Sequence, residues 1–418
     1  MQKKVKIYTL GCKVNQYDSG SLAKKFLDNG FVIGEKNAHV AIINTCSVTK
    51  SAIRKNREMI KKAQRENPSA KIIMTGCWPV NYKDEVAEIG ADFIFGANEA
   101  DLIIKKIVGK NKKPASLGCS DEINAFDKSR YFIKVQDGCE QYCTYCIIPY
   151  NRGKLKTRTV AEVVNEVKSV VQSGFREVVL NGIHLGLFGV KNVDGKKERE
   201  SSLVELLKEI VRIKDMGRVR LSSIEINEVT DDLIGLMAEN RKLCRHLHIP
   251  LQAGTDKVLK LMNRPYDLKF FQNRIGQIRK KIPDIAITTD VIVGFPGETE
   301  KDFDETVKNI KKINFSRLHV FSFSPHEKTP AFRFPGRVDG REISHRSRVL
   351  RELSLELQEK FEKKFKNKEL DVVIERISGN KLTGKTEYYF DVEFEKGDIV
   401  GNVKELRKGN ILKITTNK

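Results

Sequence analysis

The 418-residue sequence has no apolar run of about 18 residues, the minimum for a membrane-spanning helix. Its opening, MQKKVKIYTLGC, is basic but lacks the apolar stretch of a secretory signal. These two absences argue against a membrane-spanning helical protein and make the cytoplasm the expected location. Proline is sparse, at 11 residues, and there is no low-complexity tract or short internal repeat, which argues against a disordered or solenoid chain. Hydrophobic residues at 40% and charged residues at 31% fit a globular protein. Acidic residues are few beside the basic ones, 55 against 76, leaving a net charge of +21. An excess of this size attracts polyanions, nucleic acid first among them, although general solubility is the plainer explanation. The excess is uneven: residues 1–115 carry +10 and residues 366–418 only +2.

The first segment alternates apolar, β-branched runs with amphipathic stretches. VKIYTLG, HVAIINT, AKIIMTG and ADFIFG read as strands, with helices expected over 19–29, 52–66 and 83–89. Such alternation predicts an α/β domain with a parallel sheet over residues 1–110. Residues 111–130 read as a linker. A second series, YFIKVQ, REVVLNG, RVRLSS, RHLHIPLQ, AITTDVIVGF and RLHVFSF, has helical patterns between its members. Six strands alternating with helices predict a partial (β/α)6 barrel over 131–365, closed by a long charged helix from 341 to 366. The short runs of 366–418, separated by Gly, Asn and Lys, predict a small all-β barrel.

Eight cysteines in a chain expected to be cytoplasmic point to metal or catalysis rather than disulfides. Cys139, Cys143 and Cys146 form C-x3-C-x2-C just after the strand YFIKVQ. Three thiolates can hold three irons of a [4Fe–4S] cube and leave the fourth open for a cofactor. Zinc is the alternative metal, but a structural zinc site uses four ligands, and no Cys or His follows at short spacing. Cys12, Cys46 and Cys77 each follow an apolar strand, at spacings of 34 and 31 residues. Successive parallel strands end on one sheet edge, so these three should converge and hold a second cluster; three inert buried cysteines are the plainer reading. Cys119 and Cys244 have no partner at a ligand spacing and read as structural.

The C-x3-C-x2-C spacing, with the aromatic Tyr145 before the last ligand, resembles the radical S-adenosylmethionine (SAM) enzymes. The two trios in this order resemble the methylthiotransferases within that superfamily. NGIHLG (181–186), HIPLQAGTDKVL (248–259), MNRPY (262–266) and TDVIVGFPGETEKDF (289–303) extend the likeness along the chain. The resemblance implies an amino-terminal methylthiotransferase domain, a radical SAM domain and a carboxy-terminal TRAM domain. It also implies two [4Fe–4S] clusters, with SAM bound at the open iron and cleaved to a 5′-deoxyadenosyl radical, and sulfur carried at the second cluster. TLGCKVNQYDS (9–19), NTCSVT (44–49) and GIHLG resemble the branch acting on N6-threonylcarbamoyladenosine at tRNA position 37. That implies C2 of the base as the target, the tRNA anticodon loop as the partner, and an electron donor and sulfur source that the sequence does not identify. Isopentenyladenosine in tRNA, a ribosomal-protein side chain, or a non-enzymatic iron–sulfur RNA sensor are the alternatives.

Further candidates sit at predicted strand ends. Asn181, Gly182 and His184 follow REVVLNG, Ser223 and Glu225 follow RVRLSS, Gln252 ends the next run, and Val293 and Gly294 the one after. With Tyr145, these are the expected SAM contacts, a glycine such as Gly294 permitting close approach of the adenine. The basic RGKLKTR loop (152–158) would meet the methionine carboxylate or RNA phosphate, or lie solvated. The basic helix over 51–65 is either an RNA contact or a solvated face. His39, His246 and His319 read as core histidines. The SPHEKTPA stretch carries Lys328 where the family often has Gly. Acidic Asp391, Glu393 and Glu395 and the near-neutral charge of the last domain lead to the expectation of weaker RNA contacts there, or of contacts through Tyr388, Tyr389 and nearby lysines.

Overall fold

A computed structural model describes residues 2–109, 129–193, 196–401 and 406–416. Most of the expected linker lies outside these residues, as does Cys119. The described residues form two compact units. The first comprises those of Met1–Asp127 with Asp137–Tyr142 and Cys146–Leu155; the second comprises Lys128–Gln136, Cys143–Tyr145 and Lys156–Lys418.

In the first unit, β1 (Lys4–Thr9), β2 (Val32–Ile33), β3 (Val40–Thr45), β4 (Lys71–Gly76) and β5 (Phe93–Ile94) form one parallel sheet in the order β2-β1-β3-β4-β5. All six residues of β3 are buried, as befits a central parallel strand covered on both faces. Helix α1 (Lys13–Asp28) begins six residues before the expected start. Its first turns bury Asn15 and Ser19, polar residues that an apolar-periodicity reading passes over. Helix α2 (Lys50–Glu66) is capped by Thr49, whose hydroxyl accepts from the Ala52 amide. The edge strand β2 and a helix at Ala100–Val108 were not expected from the sequence.

The second unit holds the six predicted strands, β6 (Tyr131–Lys134), β7 (Glu177–Asn181), β8 (Arg218–Leu221), β9 (His246–His248), β10 (Ala286–Val293) and β11 (Arg317–Ser322). They pair parallel as β8-β7-β6 and as β9-β10-β11. Single parallel bridges, Val219 to Leu243 and Ser223 to His248, link the two groups, so the strands follow chain order around an incomplete barrel. The intervening helices are signalled locally: Thr159 with Glu162, Ser202 with Glu205 and Thr299 with Asp302 each form a capping box. The helix Val160–Gln172 buries Val163, Val167, Val170 and Val171, one stripe at helical spacing. A polar hairpin at Val190–Val193 and Lys196–Arg199 interrupts the alternation. Its sequence gives no apolar period by which to foresee it.

The last segment forms β12 (Glu369–Ser378), β13 (Lys381–Thr386), β14 (Asp391–Glu395) and β15 (Ile411–Thr415), an antiparallel sheet in the order β14-β13-β12-β15. The expected run YYFDVEF splits: Tyr388 and Tyr389 form the turn before β14 rather than strand. Part of the expected run DIVGNVKEL, residues 402–405, lies outside the described residues.

This sheet docks at the amino-terminal end of the barrel strands, through charge. Buried Glu177 accepts from Arg218 Nε at 2.6 Å and from Arg220 Nε at 2.9 Å. The outer nitrogens of Arg218 donate to the carbonyls of Asp371 and Lys385, and those of Arg220 to the carbonyls of Glu387 and Thr386. The Tyr389 ring lies on His246, with centroids 4.4 Å apart, and Tyr388 packs against Phe365. Both tyrosines are half-buried, each with a ring packed on a neighbour in the protein. Asp391 pairs with Lys385, and Glu393 with Lys381, so the acidic residues answer local lysines.

Glu387 sits in this docking layer with Oε2 buried and no hydrogen-bond partner among the described residues. Burial pushes its carboxyl up to about 7. The folded chain thus holds a proton that the unfolded chain has already lost, and stability falls as pH rises from the ordinary carboxylate range to about 7. Glu387→Gln should stabilise the protein by roughly 1–2 kcal/mol at pH 8 and change little at pH 4.5. Denaturant unfolding at the two pH values checks this; equal effects at both would contradict it.

Candidate functional site

In the first unit, Cys12, Cys46 and Cys77 stand directly after β1, β3 and β4, at one edge of the sheet. The glycines before two of them are required by packing. Gly11 has φ +94°, and a Cβ there would lie 2.6 Å from Cys46 Cβ and 2.9 Å from its Sγ. Gly76 has φ +98°, and its Cβ would meet the Thr45 carbonyl at 2.4 Å. Only glycine lets the chain turn this tightly and bring the neighbouring cysteines together. Cys46 is gripped by Asn56, whose side chain bonds both its amide and its carbonyl. Beneath the trio, Asn15 donates to the carbonyls of Leu10 and Thr45, each at 2.9 Å, and Asn44 donates to the carbonyl of Asn15.

Burial raises the Cys46 thiol and pushes Cys77 up to about 12. Without a cation, these groups stay protonated; a metal centre would displace their protons. Arg152, fully buried at its side chain, opposes that shift and hydrogen-bonds Cys77. It is held by Asp137 at 2.9 and 3.0 Å, by Asn15 at 2.5 Å and by Asp18 at 3.1 Å. The RGKLKTR loop therefore presents no free cation at Arg152. A buried guanidinium beside three cysteines suits an anionic thiolate-ligated group.

Of the second trio, Cys139 and Cys146 belong to the first unit and Cys143 to the second. The Cys139 amide donates to the Gly153 carbonyl, and Gly138, at φ +72°, leaves no room for a Cβ against the Lys154 carbonyl. In the second unit, MNRPY anchors the other part of the loop. The Thr144 amide donates to the Met262 carbonyl at 3.1 Å, and its hydroxyl to the Leu261 carbonyl at 2.8 Å. Arg264 Nη1 lies 3.1 Å from Cys143 Sγ and 3.5 Å from the Tyr145 hydroxyl, while Nη2 pairs with Glu225. Cys143, Tyr145 and Glu225 thus meet at a residue to which the sequence reading gave no role, although its motif was visible.

The remaining candidates ring the carboxyl ends of the barrel strands. Asn181 ends β7; its Nδ2 donates to the Val179 carbonyl, and its buried Oδ1 has no partner among the described residues. That orphaned acceptor fits a ligand carrying a donor, such as an amino or hydroxyl group. The His184 amide donates to Gln136 at 2.7 Å, and its ring pairs with Glu228. A Cβ on Gly186 would collide with Glu228, and one on Gly182 would crowd Gln136. Gln136 and Glu228 were not foreseen, because neither sits in a pattern of its own. Ser223 bridges to His248, and Gln252 adopts φ +67° beside Val291. Val293 is buried at the end of β10. Gly294 has φ +75°, and its missing Cβ makes room for Ile343, 2.3 Å from where that atom would stand. The close approach this glycine permits is to a helix.

The histidines divide. His246 is buried as expected, whereas His39 is exposed at the start of β3, where its Nδ1 accepts from the Lys4 amide. His319 is half-buried and joins His248 and Asp290, three donors within 4.8 Å of one another. The three close on themselves: Asp290 Oδ1 is 3.1 Å from His248 Nε2 and 3.4 Å from His319 Nδ1. Cys244 is buried, and burial pushes its thiol up to about 11, as suits an inert structural residue.

Two family models match the chain. Residues 133–310 match the Radical SAM superfamily, and residues 4–96 match an uncharacterised family, UPF0004. A threonylcarbamoyladenosine tRNA methylthiotransferase, MtaB, of Thermotoga maritima is 38% identical over 97% of this chain and 94% of its own length. The chain belongs to the radical SAM methylthiotransferases. The protein of the same name from Bacillus subtilis is 35% identical over 96% of this chain and 93% of its own. Among solved structures, the radical SAM methyltransferase TsrM of Kitasatospora setae, with cobalamin and a [4Fe–4S] cluster bound, superposes with a TM-score of 0.57. It covers 79% of this chain and 77% of its own at 15% identity, a likeness of fold alone. Membership of the radical SAM superfamily brings SAM and a [4Fe–4S] cluster as cofactors. Among the described residues, no helix is long and apolar enough to cross a membrane.

Proposed function

We propose that this methylthiotransferase adds a methylthio group at C2 of N6-threonylcarbamoyladenosine at position 37 of tRNA. The reading rests above all on near-full-length identity to curated enzymes of that name, with both cysteine trios in place. We assign residues 1–110 to the methylthiotransferase amino-terminal domain, 131–365 to the radical SAM domain and 366–418 to a TRAM domain, with 111–130 as linker. Cys139, Cys143 and Cys146 ligate the radical cluster; Cys12, Cys46 and Cys77 ligate a second [4Fe–4S] cluster. When bound, one SAM would supply the methyl group, and another, cleaved by an electron from the cluster held by Cys139, Cys143 and Cys146, would supply a 5′-deoxyadenosyl radical. An external electron donor and sulfur source complete the reaction, and the work is done in the cytoplasm, where tRNA is.

The chain's own residues bind, orient and shield. Asn181 Oδ1 offers an acceptor to SAM, and Glu225 a carboxylate for its ammonium group. Arg152 offsets negative charge at the sulfur-carrying trio. The position-37 base is reached in a loop, since a site at strand ends cannot touch a base inside a duplex.

A pocket that hydrogen-bonds the threonylcarbamoyl group leaves polar groups unpaired when that group is missing. Purified tRNA carrying the modification should be methylthiolated, and tRNA lacking it should react at least ~100-fold more slowly. Liquid chromatography and mass spectrometry of nucleosides after anaerobic turnover give the answer. Equal turnover of unmodified or isopentenylated tRNA would overturn the substrate assignment.

A further inference from the structure

We propose that Arg264 is a positioning residue that sets the reducibility of the radical cluster through Cys143. The proposal rests on the reading of Cys143 as a ligand of that cluster. Arg264 lies on the loop after the helix Asp256–Leu261 and before the helix Leu268–Lys281. Its side chain is 2% exposed. Four partners fix the guanidinium: Cys143 Sγ at 3.1 Å from Nη1, the Tyr145 hydroxyl at 3.5 Å from the same atom, the Tyr266 hydroxyl at 3.1 Å from Nε, and Glu225 at Nη2. Tyr266 is itself tied to the Pro250 carbonyl at 2.8 Å, and its ring lies under the guanidinium, 5.0 Å from Cζ to the centroid. A cation buried this completely and held on every side does not swing away.

The consequence is electrostatic. Adding an electron makes a thiolate-ligated cluster more negative. An N–H donor on a ligand sulfur stabilises that state and raises the reduction potential, more so when the donor is charged and dry. Glu225 works in the opposite sense on the same guanidinium, because its carboxylate cancels part of the charge that Cys143 feels. The two residues form a balanced pair: removing the cation should make the cluster harder to reduce, and removing the anion easier. Because Glu225 is also the carboxylate offered to SAM, cofactor binding would redistribute that balance at the moment the electron is needed.

The test is an EPR-monitored redox titration of the reconstituted full-length holoenzyme, without tRNA or added SAM, following in every variant the component that wild type shows to respond to SAM. Arg264→Gln should shift the reduced-to-oxidised ratio at fixed potential about tenfold toward oxidised, about 59 mV for a one-electron couple. Glu225→Gln should shift the midpoint upward, and Arg264→Lys, which keeps the charge but not the fork, should fall between Arg264→Gln and wild type. Shifts of opposite sign with full iron content support the proposal; a residue that merely braces the loop would not produce them. Unshifted midpoints, or shifts of the same sign, overturn it. If Arg264→Gln fails to hold iron, Glu225→Gln decides alone. Cys143→Ala separates this proposal from its premise: if that variant keeps the full SAM-responsive signal, the ligand reading fails, whatever Arg264 does.

Discussion

Replacing Cys12, Cys46 and Cys77 together by Ala should abolish methylthiolation while leaving the release of 5′-deoxyadenosine. The trio lies at the edge of the first sheet, where Gly11, Gly76 and Asn56 shape the turns that carry it. The residues gathered at Arg264 belong to the second unit. The contacts at Arg264 involve none of Cys12, Cys46 and Cys77, so that trio can be replaced while they stay in place. The triple variant should retain about half the iron of wild type, because one cube of two is gone. Iron analysis, quantitation of 5′-deoxyadenosine and mass spectrometry of tRNA nucleosides read the three quantities on one preparation. If radical formation disappeared while the remaining cluster was intact, the division of labour between the trios would be wrong. Full iron in the triple variant would remove the second cluster altogether.

Glu177→Ala should destabilise the second unit by about 3–5 kcal/mol, the cost of leaving buried charge without its partner. Glu177 is fully buried between Arg218 and Arg220, which pull its carboxyl down to about 2. The same two arginines hold four carbonyls of the last sheet. Loosening them should therefore free that sheet from the barrel before the barrel itself unfolds. Limited proteolysis should cut near residues 366–368 in the variant at concentrations that spare wild type. The pH dependence has a definite sign. A depressed carboxylate contributes its full stabilisation above its unfolded value near 4.5, and loses it as pH falls from there toward 2. The gap between wild type and variant should be full at pH 7 and shrink below pH 4.5. Arg220→Leu in the Glu177→Ala background should recover part of the loss, since it removes one of the stranded cations. A loss under 1 kcal/mol at pH 7 would show that water reaches the cluster.

The sequence alone determined a good deal. Strand–helix alternation determined both parallel sheets, because buried parallel strands are short, β-branched and nearly continuous in apolar character, as VAIINT in β3 shows. Cysteine spacing singled out the two trios, and for Cys12, Cys46 and Cys77 the parallel strands return their ends to one sheet edge. The capping boxes begun by Thr159, Ser202 and Thr299 each span four residues, a local signal that the apolar-period reading did not use. What escaped were pairings whose partners are far apart and carry no period. Arg152 meets Asp18 and Asn15 across more than 130 residues, so a loop that reads as a basic surface is a buried brace. Arg264 finds Cys143 across 121 residues, and Arg218 and Arg220 reach carbonyls more than 150 residues onward. That Tyr388 packs on Phe365 and Tyr389 on His246 could not be read from the run YYFDVEF. Local physics writes secondary-structure elements into the sequence, because backbone propensity acts over a few residues. Which charge answers which, and which aromatic is spent on packing, is settled only when distant segments close on one another and must neutralise what they bury.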